Sequence, residues 1–424
     1  MIEALYALYL KHPQISIDTR SISKNCIFFA LKGDNFNANE FAHTALSNGA
    51  AYAIVDEEKF VLDERCILVD NVLETLQELA RHHRRRIKCP VLAITGSNGK
   101  TTSKELLYRV LQQKYTTTAT KGNYNNHIGV PLTILSVDTQ TEFAIIEMGA
   151  NHIGEIEFLC NIAMPEYGVI TNVGKAHLEG FGSLEGVLEA KTELYRYIDK
   201  RNGVLFIKDN QNNLLEKRSE GTKFFTYGSL EKSTYKIRFI EAQPKVVVSY
   251  EDKHINSQLI GDYNFDNIAL SIAIGLHFKV DKEDIKKALE LYVPTNNRSQ
   301  IVNTASNTIL LDAYNANPMS VEKAIQTLSS IEHENKMIIL GDMFELGQES
   351  KKEHIKIINL CLSHGFSNVM LVGEEFSTVN KTSYKSYRTT KELFENLNVV
   401  QIKDAFVLIK GSRGMKLEQL VNNL

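Results

Sequence analysis

The chain has 424 residues, which at roughly 150 residues per domain allows two to four domains. With 43% hydrophobic and 23% charged residues, 24 glycines and 7 prolines, it is neither wholly disordered nor collagen-like. The net charge of −3 argues against a general nucleic-acid binder, and no apolar run nears the roughly 18 residues of a membrane span.

In chain order, three stretches appear: 1–88, 89–297 and 298–424. The segment Met1 to Leu10 carries Glu3 and lacks a basic start, so it reads as mature sequence and not as a signal peptide. Short strands are expected at Cys26 to Leu31 and Ala51 to Val55, with helices near Glu40 to Asn48 and at Leu73 to Arg86. The basic run Arg81 to Arg86 is either an anion site or a solvated helix end, where cations suit the dipole. Cys89-Pro90 then punctuates the chain.

The second stretch opens with the apolar run Val91 to Thr95, a glycine loop, and the periodic segment Thr101 to Gln113: strand, loop, helix. Further strands are expected at Phe143 to Glu147, Gly168 to Thr171 and Lys245 to Tyr250, and a helix at Asn264 to Leu276. In the third stretch, Thr308 to Asp312, Met337 to Leu340, Val369 to Val372 and Phe406 to Lys410 alternate with helical patterns. That alternation predicts a parallel α/β sheet. The five cysteines are scattered without zinc or redox spacing, so reduced thiols and a cytoplasmic location are expected.

The chemistry concentrates at strand ends. Gly96, Ser97, Asn98, Gly99, Lys100, Thr101 and Thr102 read either as a plain βα turn or as a phosphate-binding loop, whose backbone N–H groups and helix N-terminus suit an anion. Lys100 is placed to reach terminal phosphates, and Thr101 to put a hydroxyl on magnesium. The spacing is short: only Ser97 and Asn98 separate Gly96 from Gly99-Lys100. Glu147 and His177 follow two other strands and are magnesium candidates, histidine being the less usual ligand for a hard cation.

Lys191 falls among Leu184, Val187, Leu188, Leu194, Tyr195 and Ile198 on the apolar face of a helix expected over 182–199. Either its stem snorkels, or burial lowers its pKa and frees the amine for chemistry. Asn123, Asn125 and Asn126 form an amide cluster. Asp312, Tyr314, Asn315 and Asn317 end the first strand of the third stretch, and Arg298 sits at the linker. No serine-protease or paired-carboxylate glycosidase pattern is present.

Together these motifs resemble the Mur ligase family, ATP-dependent amide ligases of peptidoglycan precursor synthesis and hence of cell wall biogenesis. The resemblance runs over nearly the whole chain. It rests on the compressed loop 95–102, 121–131, 147–152, 176–182, 314–318, 341–347 and 410–413. It implies an N-terminal α/β UDP-substrate domain, a central P-loop ATPase-like parallel-sheet domain and a C-terminal Rossmann-like α/β domain. It implies the branch that joins D-alanyl-D-alanine to the C-terminal carboxylate of UDP-N-acetylmuramoyl-tripeptide through an acyl phosphate.

Carried over by position, Lys100 holds the β- and γ-phosphates, and Thr101, Glu147 and His177 belong to the shells of two magnesium ions. Lys191 matches a lysine that the family carbamylates. Asn267, Arg298 and Asp312 match nucleotide contacts. Asp18, Thr19, Arg20, Lys32, Gly33 and Asp34 match the region that receives the UDP-sugar. Asn123, Asn125, Asn126, Tyr314, Asn315 and Asn317 are expected at the substrates. Leu311 departs from the acidic residue many members carry before the strand-end Asp. A monomer without a nucleic-acid partner is expected. Two other readings stay open: the neighbouring ligase that adds the third amino acid, and a nucleotide-binding regulator that hydrolyses ATP without ligating.

Overall fold

A computed structural model describes residues 1–397 and 402–424. Three parallel-sheet units follow one another along the chain. The first sheet has four strands in the order Ile15–Ser16, Ile27–Phe29, Tyr52–Val55, Cys66–Leu68. The second has seven strands, all parallel, with Val91–Thr95 between Tyr167–Ile170 and Phe143–Glu147. The third has six, with Ala405–Lys410 between Asn307–Asp312 and Lys336–Gly341, and one antiparallel edge strand, Gln300–Asn303. A three-stranded antiparallel sheet, 238–260, flanks the central unit.

The central strands are short apolar runs buried on both faces, as helices packed on each side require. Val91–Thr95, Phe143–Glu147 and Lys245–Tyr250 begin and end where the apolar pattern does. The order of the strands sets the site. Placing Val91–Thr95 beside both Tyr167–Ile170 and Phe143–Glu147 brings three strand carboxyl ends, and the loops that follow them, to one crevice.

The helix Val72–Arg84 fastens the first unit to the central one. Its basic end is neither an anion site nor fully solvated: Arg84 is only 5% exposed. Arg84 Nε donates to Ala163 O at 2.7 Å, an NH2 group donates to Met164 O at 2.8 Å, and the same guanidinium pairs with Glu166. The other oxygen of Glu166 accepts from Val91 N at the start of the central strand, 2.8 Å away. The helix expected over 182–199 runs Leu184–Lys200, with Ser183 accepting from Gly186 N as its cap. Leu184 is 42% exposed, so the buried face of that helix begins at Val187 and not at Leu184. All five cysteines are buried and free.

Candidate active site

The phosphate loop is held from below by the next strand's exit. Asn172 Oδ1 accepts from Asn98 N at 3.0 Å and Asn172 Nδ2 donates to Asn98 O at 2.9 Å, a two-point clamp. Thr171 Oγ1 donates to the same carbonyl at 2.6 Å. The loop passes so close that a Cβ on Gly96 would lie 2.1 Å from Thr171 Oγ1. Gly99 has φ +81, and a Cβ there would sit 2.6 Å from Asn267 Oδ1. Only glycine serves at that position. Lys100 opens the helix Lys100–Leu111, and its Nζ donates to Gly96 O at 2.6 Å.

Beside the loop, Glu147 Oε1 accepts from Thr101 Oγ1 at 3.1 Å and from Asn125 Nδ2 at 2.8 Å. Its Oε2 is buried with no protein partner. A buried carboxylate oxygen without a donor is costly unless something compensates it. A hydroxyl and a carboxylate oxygen next to a phosphate cradle suit a hard cation, so Thr101 and Glu147 fit magnesium. His177 lies on the same crevice with φ +53, and its Nδ1 is 2.5 Å from Glu345 Oε2 of the third unit.

Lys191 is 1% exposed. Its Nζ donates to Ala150 O at 3.3 Å and lies 5.0 Å from the centre of the Phe181 ring. Burial, with the nearby Lys100 charge, brings its pKa down to about 7, against the opposite pull of Glu155 and Glu193. The amine is fully engaged in neither an ion pair nor solvent.

A cleft of about 810 Å³ runs over these groups, within the ordinary size of a ligand site. Ser97 to Thr102, Asn123, Asn125, Asn126, Glu147, His177, Asn267, Arg298, Asp312, Tyr314, Asn315 and Asn317 all line it. Gly96 and Lys191 do not. Some members of the amide cluster also build the fold: Asn126 Oδ1 accepts from Gly129 N at 2.9 Å, at the start of Gly129–Leu135. Asn317 caps the helix Pro318–Ser330 through Ser320 N and donates from Nδ2 to Asn98 Oδ1 at 2.8 Å. Arg298 stacks 3.7 Å from the centre of the Tyr314 ring.

The N-terminal candidates lie elsewhere. Lys32, Gly33 and Asp34 line a separate shallow depression of about 400 Å³ beside the stacked rings of Phe36 and Phe41. Lys32 Nζ bridges Asp56 at 2.8 Å and Glu57 at 2.9 Å. Asp18, Thr19 and Arg20 line neither hollow, and Arg20 grips Asp18 at 2.6 Å. Asn172, Tyr263 and Asp266 also line the cleft without having been singled out from sequence, and so does Lys410, which sequence marked only as part of the motif 410–413. Asn172 and Lys410 stand at strand exits and were open to discovery by that rule; Tyr263 and Asp266 carried no signal.

The Mur ligase middle domain matches residues 94–275, and the Mur ligase, glutamate ligase domain matches 297–413. The UDP-N-acetylmuramoyl-tripeptide--D-alanyl-D-alanine ligase of Bacillus subtilis (strain 168) is 34% identical over 97% of this chain and 92% of its own length. The chain belongs to the Mur ligase family. The enzyme of the same name from Escherichia coli (strain K12) is 30% identical over 97% of this chain and 93% of that one. Among solved Mur ligase structures, MurF from Acinetobacter baumannii superposes with a TM-score of 0.85 at 30% identity, covering 97% of this chain and 93% of that one. MurF ligase from Thermotoga maritima in complex with ADP gives 0.84 at 26%, covering 97% and 96%. The three-unit α/β architecture is therefore that of the Mur ligases, and the compressed phosphate loop stands inside the matched middle domain. No helix among the described residues is long and apolar enough to cross a membrane.

Proposed function

We propose that this chain is an ATP-dependent, ADP-forming ligase that joins D-alanyl-D-alanine to the C-terminal carboxylate of UDP-N-acetylmuramoyl-tripeptide, in peptidoglycan precursor synthesis. The observation that carries this reading is the single cleft. It sets a phosphate loop, a buried carboxylate with one free oxygen, an amide cluster and the strand ends of the third unit against one another. The full-length likeness to ligases of that name supports the substrates. Domains 1–88, 89–297 and 298–424 would receive the UDP-sugar, ATP and the incoming amine.

In the reaction, a carboxylate oxygen of the tripeptide attacks the γ-phosphorus of ATP and ADP leaves. The amine of D-alanyl-D-alanine attacks the acyl carbon, loses a proton and expels inorganic phosphate. The loop N–H groups and Lys100 hold the transferring phosphoryl group and spread its charge. Thr101 and Glu147 would hold magnesium, with His177 at its edge once free of Glu345; the ion supplies charge neutralisation on the phosphates. Asn125, fixed on Glu147, and Asn123 and Asn126 face the acceptor side of the cleft. Asn267, Arg298 and Asp312 take the nucleoside side.

We also propose that Lys191 is carbamylated. Its depressed pKa leaves the neutral amine that carbon dioxide requires, and the carbamate would supply an anionic oxygen of the kind a hard cation takes. The enzyme is read as a cytoplasmic monomer: its buried free cysteines suit a reducing compartment, and one chain builds the whole cleft. Lys100→Ala tests the assignment. Ligation should fall by at least about a thousandfold, because no other cation lies in the loop. A folded variant with near-parental rate overturns it.

A further inference from the structure

We propose that Lys410 is a positioning residue for the nucleotide: its buried ammonium fixes the Asp312 carboxylate and the turn 312–317 where the third unit meets the phosphate loop. The proposal rests on reading the cleft as an ATP site. Lys410 ends the strand Ala405–Lys410, directly opposite Asp312 on the neighbouring strand. It is 1% exposed and stands in the cleft wall. A lysine so deep is tolerated only when its donors find acceptors. Here Nζ meets Asp312 Oδ2 at 2.6 Å, Asn315 O at 3.1 Å and Asp312 O at 3.4 Å. Its three donors are thus spent on the protein, so it holds other groups and does not itself grasp a phosphate.

The groups it holds reach the central unit at two places. Asp312 Oδ1 accepts from Ser299 N at 3.3 Å, and Ser299 Oγ is 2.7 Å from the hydroxyl of Tyr263 at the start of Asn264–His277. At the far end of the turn, Asn317 Nδ2 donates to Asn98 Oδ1 of the phosphate loop. Between them Tyr314 lies on Arg298. An ion pair that served only the sheet would need Asp312 alone. The bond to Asn315 O carries the ammonium's hold out of the strand into the turn. One buried charge therefore sets the attitude of both the nucleoside wall and the contact on the phosphate loop.

The test is calorimetric titration of ADP, and separately of UDP-N-acetylmuramoyl-tripeptide, into the full chain carrying Lys410→Met, Asp312→Asn, or both. Removing a charge-assisted bond that orients a contact should weaken ADP by about tenfold or more in each single variant. The double variant should bind ADP no worse than the weaker single, because both changes break one unit. Affinity for the UDP-peptide should hold. A merely structural lysine would lower the fraction of binding-competent protein and leave the dissociation constant where it was. If Lys410→Met fails to fold, Lys410→Arg, which keeps the charge but cannot repeat the three-point grip of the ammonium, takes its place. ADP affinity within about twofold of the parent in either protein overturns the proposal, as do losses that multiply in the double. A parent that binds ADP yet ligates no substrate overturns the proposed reaction and leaves Lys410's role standing. A parent that fails to bind ADP overturns both.

Discussion

At the scale of single residues, Lys191 carries the sharpest consequence. Burial takes its pKa to about 7, so its proton leaves as pH rises through that value and not through the usual range near 10.5. At pH 8 such an amine is mostly neutral, whereas an ordinary lysine stays almost wholly charged. Protein equilibrated with ¹³C-labelled carbon dioxide should show a carbamate resonance that grows as pH rises through about 7. Lys191→Arg should lack the resonance and most of the activity, since guanidinium stays charged. A parental rate in Lys191→Arg sinks the carbamate and leaves a lysine simply packed against Phe181. The oddity was visible in sequence, as a lysine on an apolar stripe. Its depth was not, because Leu184 belonged to the same pattern and lies at the surface.

At the scale of elements, the helix Val72–Arg84 shows what periodicity hides. Its basic end looked like a surface feature, yet Arg84 spends three bonds on the central unit. Those acceptors are backbone carbonyls at the end of Glu155–Ala163 and a glutamate far along the chain, and no local pattern announces them. Arg84→Met takes the guanidinium from Glu166, which keeps Val91 N on its other oxygen, and removes the donor from two carbonyls. It should cost about 2 kcal/mol, chiefly the two lost bonds to carbonyls, read as an earlier urea transition of the first two units. An unchanged transition removes Arg84 as the fastener. The strands, by contrast, were legible: short apolar runs closed by glycine, asparagine or aspartate leave few alternatives. Their lateral order was not, and with it went the Asp312–Lys410 pair, whose partners are neighbours only across the sheet. The clamp of Asn172 on Asn98 escaped for the same reason.

At the scale of the whole molecule, the central and third units meet through Ile260, which packs into the apolar core of the third unit, and through polar contacts around the cleft. Lys175 Nζ reaches Glu353 at 2.6 Å, His177 meets Glu345, and Asn317 meets Asn98. The Glu353 side chain is 2% exposed, and its second oxygen has no protein partner. Lys175 is thus the cation that meets this buried carboxylate across the boundary between the units. Lys175→Met should make the docked arrangement unfavourable, because separation lets water reach Glu353. Small-angle scattering without ligands should then give a larger radius of gyration than the parent, and ATP with UDP-peptide should restore part of the compaction. Identical scattering from the two proteins would mean that Lys175 does not hold the units together.

The reaction itself is tested most directly by product analysis over a small matrix. Purified protein with ATP and magnesium is offered UDP-N-acetylmuramoyl-dipeptide or -tripeptide, each with D-alanyl-D-alanine or a diamino acid, while phosphate release is followed and products are weighed by mass spectrometry. One combination should turn over: tripeptide with D-alanyl-D-alanine, giving one phosphate for each UDP-N-acetylmuramoyl-pentapeptide formed. Turnover of the dipeptide with a diamino acid, or phosphate release that needs neither acceptor nor amine, would contradict it.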